Sequence, residues 1–134
     1  MTALADILDE YEFLDPDDRY RLLIDLGKAL PPMADALKTD ATLVRGCSAN
    51  VWVYPLTSDT GLQFVADSNA AITKGIIALV LKTVEGKSAA EILQADIEGK
   101  LAPFNLKNQL SSNRTQGIPN MISLIRETAV RYAG

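Results

Sequence analysis

Residues 70–84 read Ala-Ala-Ile-Thr-Lys-Gly-Ile-Ile-Ala-Leu-Val-Leu-Lys-Thr-Val, and this run decides the fold that the sequence predicts. Apolar side chains occupy nearly all of its positions, so a helix formed here would have no face suited to water. Such a helix is stable only when other elements enclose it. The run therefore predicts a buried central helix. Its most apolar part, residues 76–81, is far too short to span a bilayer.

A β-hairpin is predicted directly before this helix. Apolar and aromatic side chains alternate through residues 50–57, which is typical of a strand with two different faces. Residues 58–61 have the composition of a hairpin turn, and residues 62–66 form the returning strand. With a further short strand predicted at residues 42–46, the expected sheet is small and antiparallel, with about three strands.

Helices are predicted on both sides of this unit. Residues 2–13 carry an amphipathic pattern, and a second helix is expected from Asp15, a good capping residue, to about residue 29. Ser88 opens a capping-box pattern, and a final helix is expected over residues 118–132. The predicted fold class is α+β, with a small antiparallel sheet packed against helices in one domain over residues 1–134.

Composition excludes several classes of function. The 134 residues carry a net charge of −4 without a Lys/Arg cluster, so neither nucleic acid nor an anionic membrane is an expected partner. The chain has no histidine, which excludes a Ser-His-Asp triad, a Cys-His pair and a histidine metal site. A single cysteine rules out an internal disulfide and makes a metal centre held by this chain alone implausible. A lone thiol and an N-terminus without a basic signal region favour the cytoplasm.

That cysteine, Cys47, is the main candidate functional residue. Gly46 precedes it, and small residues follow it before the predicted strand, so the thiol is expected on a tight loop. The alternative is that Cys47 is a small buried apolar residue without a chemical role. On position alone, the functional and the structural interpretation have similar weight. A reactive thiol would need a nearby cation to lower its pKa, and Arg45, Lys74 or Arg114 could supply one.

Three separated blocks resemble the SufE family of sulfur acceptor proteins, which includes the CsdE type. They are Val-Arg-Gly-Cys-Ser-Ala-Asn-Val-Trp at residues 44–52, Ala-Asp-Ser-Asn-Ala-Ala-Ile-Thr-Lys-Gly-Ile-Ile-Ala at 66–78, and Leu-Ser-Ser-Asn-Arg-Thr-Gln-Gly at 110–117. Their order and spacing also agree with the family, and the likeness covers nearly the whole chain. Ala49 departs from relatives that have a serine there. The resemblance implies an α+β fold of the SufE/IscU type.

The resemblance also implies a sulfur carrier rather than an enzyme. In this family a cysteine desulfurase of the SufS or CsdA type, which holds pyridoxal phosphate, leaves a sulfane sulfur on its own cysteine. The carrier takes that sulfur as a persulfide, stimulates the desulfurase, and passes the sulfur to a SufBCD-type scaffold for iron–sulfur cluster assembly. Cys47 matches the acceptor position, and no cofactor or metal on this chain is implied. Loop residues and candidate partner contacts are Arg45, Gly46, Ser48, Lys74 and Arg114.

Simpler structural roles are also expected for several of these side chains. Asp67 and Ser68 are interpreted as caps of the central helix. Lys74 either extends from that helix to the surface or lies near the cysteine loop. Arg114 in the simplest case is a solvated charge, and Trp52 is interpreted as a sheet-packing residue.

Three other classes of function remain open from the sequence. An iron–sulfur scaffold would need several thiolate ligands, and this chain has one. A thiol hydrolase would need a base, and histidine is missing, while a redox sensor usually has a resolving cysteine, and the chain has no second cysteine. The remaining alternative is a non-covalent adaptor or allosteric activator of a desulfurase in which Cys47 is incidental.

Overall fold

A computed structural model of the chain describes residues 3–47, 49–59, 61–110 and 115–133. The described elements, in chain order, are α1 (Leu4–Phe13), α2 (Pro16–Lys28), β1 (Val51–Ser58), β2 (Gly61–Ser68), α3 (Ala71–Lys82), α4 (Ala89–Gln94), α5 (Ile97–Leu101), α6 (Leu106–Gln109) and α7 (Ile118–Ala133). Single 3-10 turns lie at Asp35–Leu37 and Ala102–Phe104. Within these ranges, the helices are all too short or too polar to cross a bilayer. The α+β fold class is confirmed.

Helix α3 is the buried centre of the molecule, as its sequence predicts. Ile76, Leu79 and Val80 are at most 1% exposed, and most of the helix between Ile72 and Val80 is buried. Its main neighbours are α2 and β2, and α4 packs against α7 in the C-terminal half. The hydrophobic effect, acting on this apolar run, therefore brings the helices before it and the hairpin together.

The hairpin has the predicted strands in antiparallel register, from Val51 opposite Ser68 to Ser58 opposite Gly61. The third predicted strand, at residues 42–46, is reduced to one bridge between Leu43 and Trp52. The chain turns away after this bridge because the next residues form the loop that carries Cys47. The sheet in the described part of the chain therefore has two strands rather than about three.

Helix ends follow their local sequence signals. The Asp15 carboxylate accepts a hydrogen bond of 2.9 Å from the backbone N–H of Asp18 at the start of α2. Ser88 and Glu91 form both bonds of the predicted capping box at the start of α4. These contacts satisfy backbone donors that a helix start leaves unpaired.

Two glycines let α2 and α3 approach each other at backbone distance. A Cβ added to Gly27 would lie 2.7 Å from the backbone nitrogen of Gly75. A Cβ added to Gly75 would overlap the carbonyl oxygen of Leu23, which is itself fully buried. Because both obstacles are backbone atoms in packed helices, neither can move aside without separating the helices.

Gly75→Ala should therefore destabilise the protein strongly. We expect a loss of about 3 kcal/mol in the free energy of unfolding, at the upper end of the range for overpacked cores. Urea denaturation followed by circular dichroism measures this loss. Gly99→Ala is the matched control, because the added Cβ there meets the side-chain carboxylate that caps α5, Asp96, and not the backbone of a second helix. Equal midpoints for the two variants would contradict the close approach of α2 and α3.

Candidate functional site

The loop that carries Cys47 is closed at its base by backbone contacts. The N–H of Val44 donates to the carbonyl of Val51 at 2.7 Å. The N–H of Asn50 donates to the side-chain oxygen of Asn69 at 3.1 Å, and the N–H of Asn69 donates back to the Asn50 carbonyl at 3.4 Å. The hairpin and the segment leading into α3 thus hold both ends of the loop. Other contacts hold its tip.

Cys47 lies at the tip, half-buried, with its side chain packed against the hydrophobic core. Its Sγ lies against Gly117, directly before α7, where any Cβ would overlap the sulfur. Burial raises the pKa of the Cys47 thiol above its ordinary value, because the thiolate loses solvation in this position. Of the cations that the sequence offers to lower this pKa, Arg45 is exposed and Lys74 pairs with Asp67, and Arg114 lies outside the described residues.

Asn120, in the first turn of α7, holds the two residues before Cys47. Its side-chain amide donates a hydrogen bond of 2.8 Å to the backbone carbonyl of Arg45. The same amide nitrogen lies where a Cβ on Gly46 would be, and Gly46 has a φ of +84°. Gly46 is therefore required twice, for a left-handed backbone and for the close approach of Asn120. Sequence reasoning missed Asn120, because no local pattern marks a contact across 75 residues.

Asp67 is the centre of a charged cluster rather than a helix cap. Its carboxylate accepts hydrogen bonds from the Lys38 ammonium at 2.7 Å and from the Lys74 ammonium at 3.3 Å. Burial alone would raise the pKa of Asp67, but the hydrogen bonds from Lys38, the Ser68 backbone and Lys74 outweigh it, and the pKa is lowered. The bond to Asp67 is also the main reason that the pKa of Lys38 is raised.

The predicted capping of α3 by Asp67 and Ser68 was wrong. The N-cap residue is Ala70, which has no side-chain cap, and the Ser68 hydroxyl accepts from the Ala70 N–H at 3.2 Å. The chain is still extended at Ala70, so Asp67 lies on the sheet, opposite Trp52, and not at the helix end.

The remaining predicted site residues are placed as follows. The ammonium group of Lys74 extends away from the apolar surface of α3 and pairs with the Asp67 carboxylate. Trp52 is half-buried beneath Lys38, whose ammonium lies 5.8 Å from the ring centre, in agreement with a packing role. Ser48 and Arg114 lie outside the described residues. Among the described side chains, Cys, Asp and Glu do not form a group that could hold a metal ion.

An apolar cavity of about 590 Å³ lies away from the cysteine loop. It opens between α1, α2, β2 and α3, and its walls include Ile7, Leu26, Leu62, Phe64 and Leu81. The described residues of the cysteine loop, 43–47 and 49–50, do not line it. Cys47 is therefore sheltered by direct packing against the start of α7 and not by this cavity.

Gly117→Ala should displace Cys47 from its shelter. The added Cβ would occupy the position of Sγ, so the thiol must turn toward solvent, and its pKa should fall toward the ordinary value. Because the thiolate is the reacting form and the displaced sulfur is more accessible, we expect iodoacetamide to alkylate Cys47 several-fold faster at pH 7.5. Cys47→Ser gives the background rate. An unchanged rate and an unchanged thiol pKa would contradict the packing of Sγ on Gly117.

The free energy of unfolding of Asp67→Asn, measured against pH, should reveal the charged cluster. A carboxylate with a lowered pKa in the folded state stabilises the protein above its unfolded pKa of about 3.9, and this contribution is lost as pH falls through the folded pKa. We expect the variant to lose about 1–2 kcal/mol at pH 7 and the difference from wild type to shrink below pH 4. Urea denaturation at several pH values measures it.

Asp35→Asn is the matched control for this variant. Asp35 accepts from the same Lys38 ammonium at 3.3 Å, but its side chain is 99% exposed. An exposed pair of this kind contributes little, so this variant should match wild type at every pH. Equal effects of the two substitutions would show that the burial of Asp67 has no influence.

Known proteins with similar sequences match nearly the whole chain. An uncharacterized SufE-like protein of Rhizobium etli is 40% identical over 134 residues, covering 96% of this chain and 90% of that protein. The sulfur acceptor protein CsdE of Escherichia coli is 43% identical over 76% of this chain and 70% of its own length. The cysteine desulfuration protein SufE of Wigglesworthia glossinidia is 30% identical over 84% of this chain and 79% of that protein.

A structural comparison and a family model agree with these sequence matches. The solution structure of a hypothetical protein from Thermus thermophilus aligns with a TM-score of 0.77 over 97% of this chain and 95% of its own, and at 16% identity this likeness concerns the fold alone. A family model described as "SufE: Fe-S metabolism associated domain" matches residues 5–129. The chain belongs to the SufE family.

Proposed function

We propose that this protein accepts sulfur from the persulfide of a cysteine desulfurase onto Cys47, and so stimulates the desulfurase by clearing its product. The observation that carries the proposal is the position of Cys47. It follows a glycine turn and lies half-buried at the tip of a loop whose two ends are tied to the fold. Two relatives are named as a sulfur acceptor and as a cysteine desulfuration protein, which supports the same role here.

The chemical step is an exchange at divalent sulfur. The Cys47 thiolate attacks the terminal sulfur of the desulfurase persulfide, a new S–S bond forms on Cys47, and the S–S bond on the desulfurase breaks. The desulfurase cysteine leaves as a thiolate, and the proton released by Cys47 neutralises it or passes to solvent. A second exchange of the same kind would move the sulfur to a thiol of an assembly scaffold. No net oxidant or reductant is needed in either step.

The resting site suits storage of a thiol better than reaction. Burial keeps the pKa of Cys47 raised, so little thiolate is present at neutral pH, and the half-buried sulfur meets solvent oxidants less readily. Docking on the desulfurase would therefore have to expose Sγ or supply a charge that favours the thiolate. Release of a few contacts at the loop tip would be enough, because the base of the loop is fixed separately.

Composition supports a stoichiometric partner of an enzyme rather than an enzyme. The chain offers no histidine as a general base and no second cysteine to resolve a disulfide. In the proposed exchange, pyridoxal phosphate chemistry takes place on the desulfurase, of the SufS or CsdA type. This chain supplies one nucleophilic sulfur and a surface that presents it, and a SufBCD-type scaffold would receive the product.

Intact mass spectrometry under non-reducing conditions tests the proposal. The protein is incubated with free cysteine and a SufS-type desulfurase, with Cys47→Ser in parallel. We expect wild type alone to gain the mass of one or more sulfur atoms, about 32 Da each from the element's atomic mass, and to lose it on reduction, as a persulfide does. We also expect the serine variant to lose its stimulation of desulfurase turnover while its free energy of unfolding stays within about 0.5 kcal/mol of wild type.

Other outcomes separate the competing roles. Full stimulation by Cys47→Ser would contradict a covalent carrier and leave a non-covalent adaptor or allosteric activator. A sulfur gain on both proteins would show that the sulfur adds elsewhere or noncovalently. No gain with several desulfurases that are active with their own acceptors would overturn the proposal.

A further inference from the structure

We propose that Asn120 is a positioning residue that holds the Cys47 loop closed, and that release of its contact limits how fast Cys47 meets an outside reagent or sulfur donor. We call this contact the lock. Its role in turnover rests on the proposed function, whereas its effect on the exposure of Cys47 does not. Asn120 contacts the loop and not the reacting sulfur, so it acts through the position of Cys47.

The start of α7 contacts three consecutive residues of the loop. Asn120 donates to the carbonyl of Arg45, its amide nitrogen lies against Gly46, and Gly117 lies against the sulfur of Cys47. The sulfur contact is apolar and has no direction, whereas the amide hydrogen bond fixes the backbone in one orientation. Asn120 is therefore the directional part of the contact between loop and helix.

The two partners in this contact differ in how firmly the fold holds them. Helix α7 spans 16 residues, and its inner face, including Met121, Ile122 and Ile125, is at most 3% exposed. Arg45 and Gly46 are exposed. If the contact breaks, the loop can move while α7 stays in place, because moving the helix would expose its buried face to water.

The strength of the contact suits a releasable lock. A hydrogen bond between neutral groups at an exposed site adds little net stability, because water replaces either partner. Asn120 is exposed, and the bond joins an amide to a carbonyl without any charge. The opening equilibrium should therefore be independent of pH, unlike the ionisation of Cys47, and the two effects can be measured separately.

The test uses two variants and iodoacetamide as the probe. Asn120→Ala removes the bond and the packing on Gly46, whereas Asn120→Asp keeps the shape but loses the N–H donor. An acid in the first turn of α7 suits the helix, so this variant should fold. Alkylation rates measured from pH 6.5 to 10.5 separate the thiol pKa from the plateau rate of the thiolate. The plateau is the readout, because the Asp charge can change the pKa alone.

We expect both variants to raise the plateau rate about two- to fivefold, which corresponds to the lower part of the net range for one hydrogen bond. Hydrogen exchange of the amides in a peptide covering residues 44–50 should accelerate by a similar factor, and the urea midpoint should fall only slightly, because the folded state loses one weak bond. Asn108→Ala is the matched control, since Asn108 donates the same kind of bond at 2.8 Å to Asn105 and not to the loop. It should leave the plateau rate and loop exchange as in wild type.

Unchanged plateau rates in both Asn120 variants would overturn the proposal, as would an equal increase in Asn108→Ala. Sulfur transfer from the desulfurase is measured in the same variants. Faster alkylation together with faster persulfide formation supports the lock and its role in turnover. Faster alkylation with no persulfide in any protein, wild type included, leaves the lock standing and rejects the sulfur-carrier function.

Discussion

Burial of α3 is the constraint on which the rest of the structure depends. A helix that is apolar on nearly every face needs neighbours on every side, and α2, the β1–β2 hairpin and the C-terminal helices provide them. The glycine contact between Gly27 and Gly75 brings α2 close enough to complete this enclosure. Once α3 is enclosed, the end of β2 and the base of the cysteine loop have fixed positions, because both adjoin its first turn.

The molecule combines this rigid frame with a loop tip whose described residues contact the start of α7. The base of the loop is tied by backbone bonds to Val51 and by the pair of Asn50 and Asn69. The tip depends on Asn120 and on packing of Cys47 against Gly117. A sulfur carrier of the kind proposed here must protect a thiol and also present it, and low local stability on a stable scaffold meets both requirements.

The described charges near the loop hold segments of the fold together. Lys38 and Lys74 both bind the Asp67 carboxylate, so their ammonium groups have an anionic partner within the fold. Within the described part of the chain, burial is the influence on the pKa of Cys47, which is raised. In the proposed function, docking on the desulfurase changes the environment of the thiol, and such a change can lower its pKa.

The sequence by itself determined the elements and the candidate thiol. Alternating side chains predict the hairpin, capping residues at Asp15 and Ser88 predict helix starts, and the apolar run predicts α3, because each signal lies within one element. Only the tertiary structure decided which polar groups meet. Asp67 looked like a cap and instead binds two lysines, and Asn120 reaches a carbonyl 75 residues away. Such contacts depend on how packed elements place their ends in space, which no periodicity along the chain records.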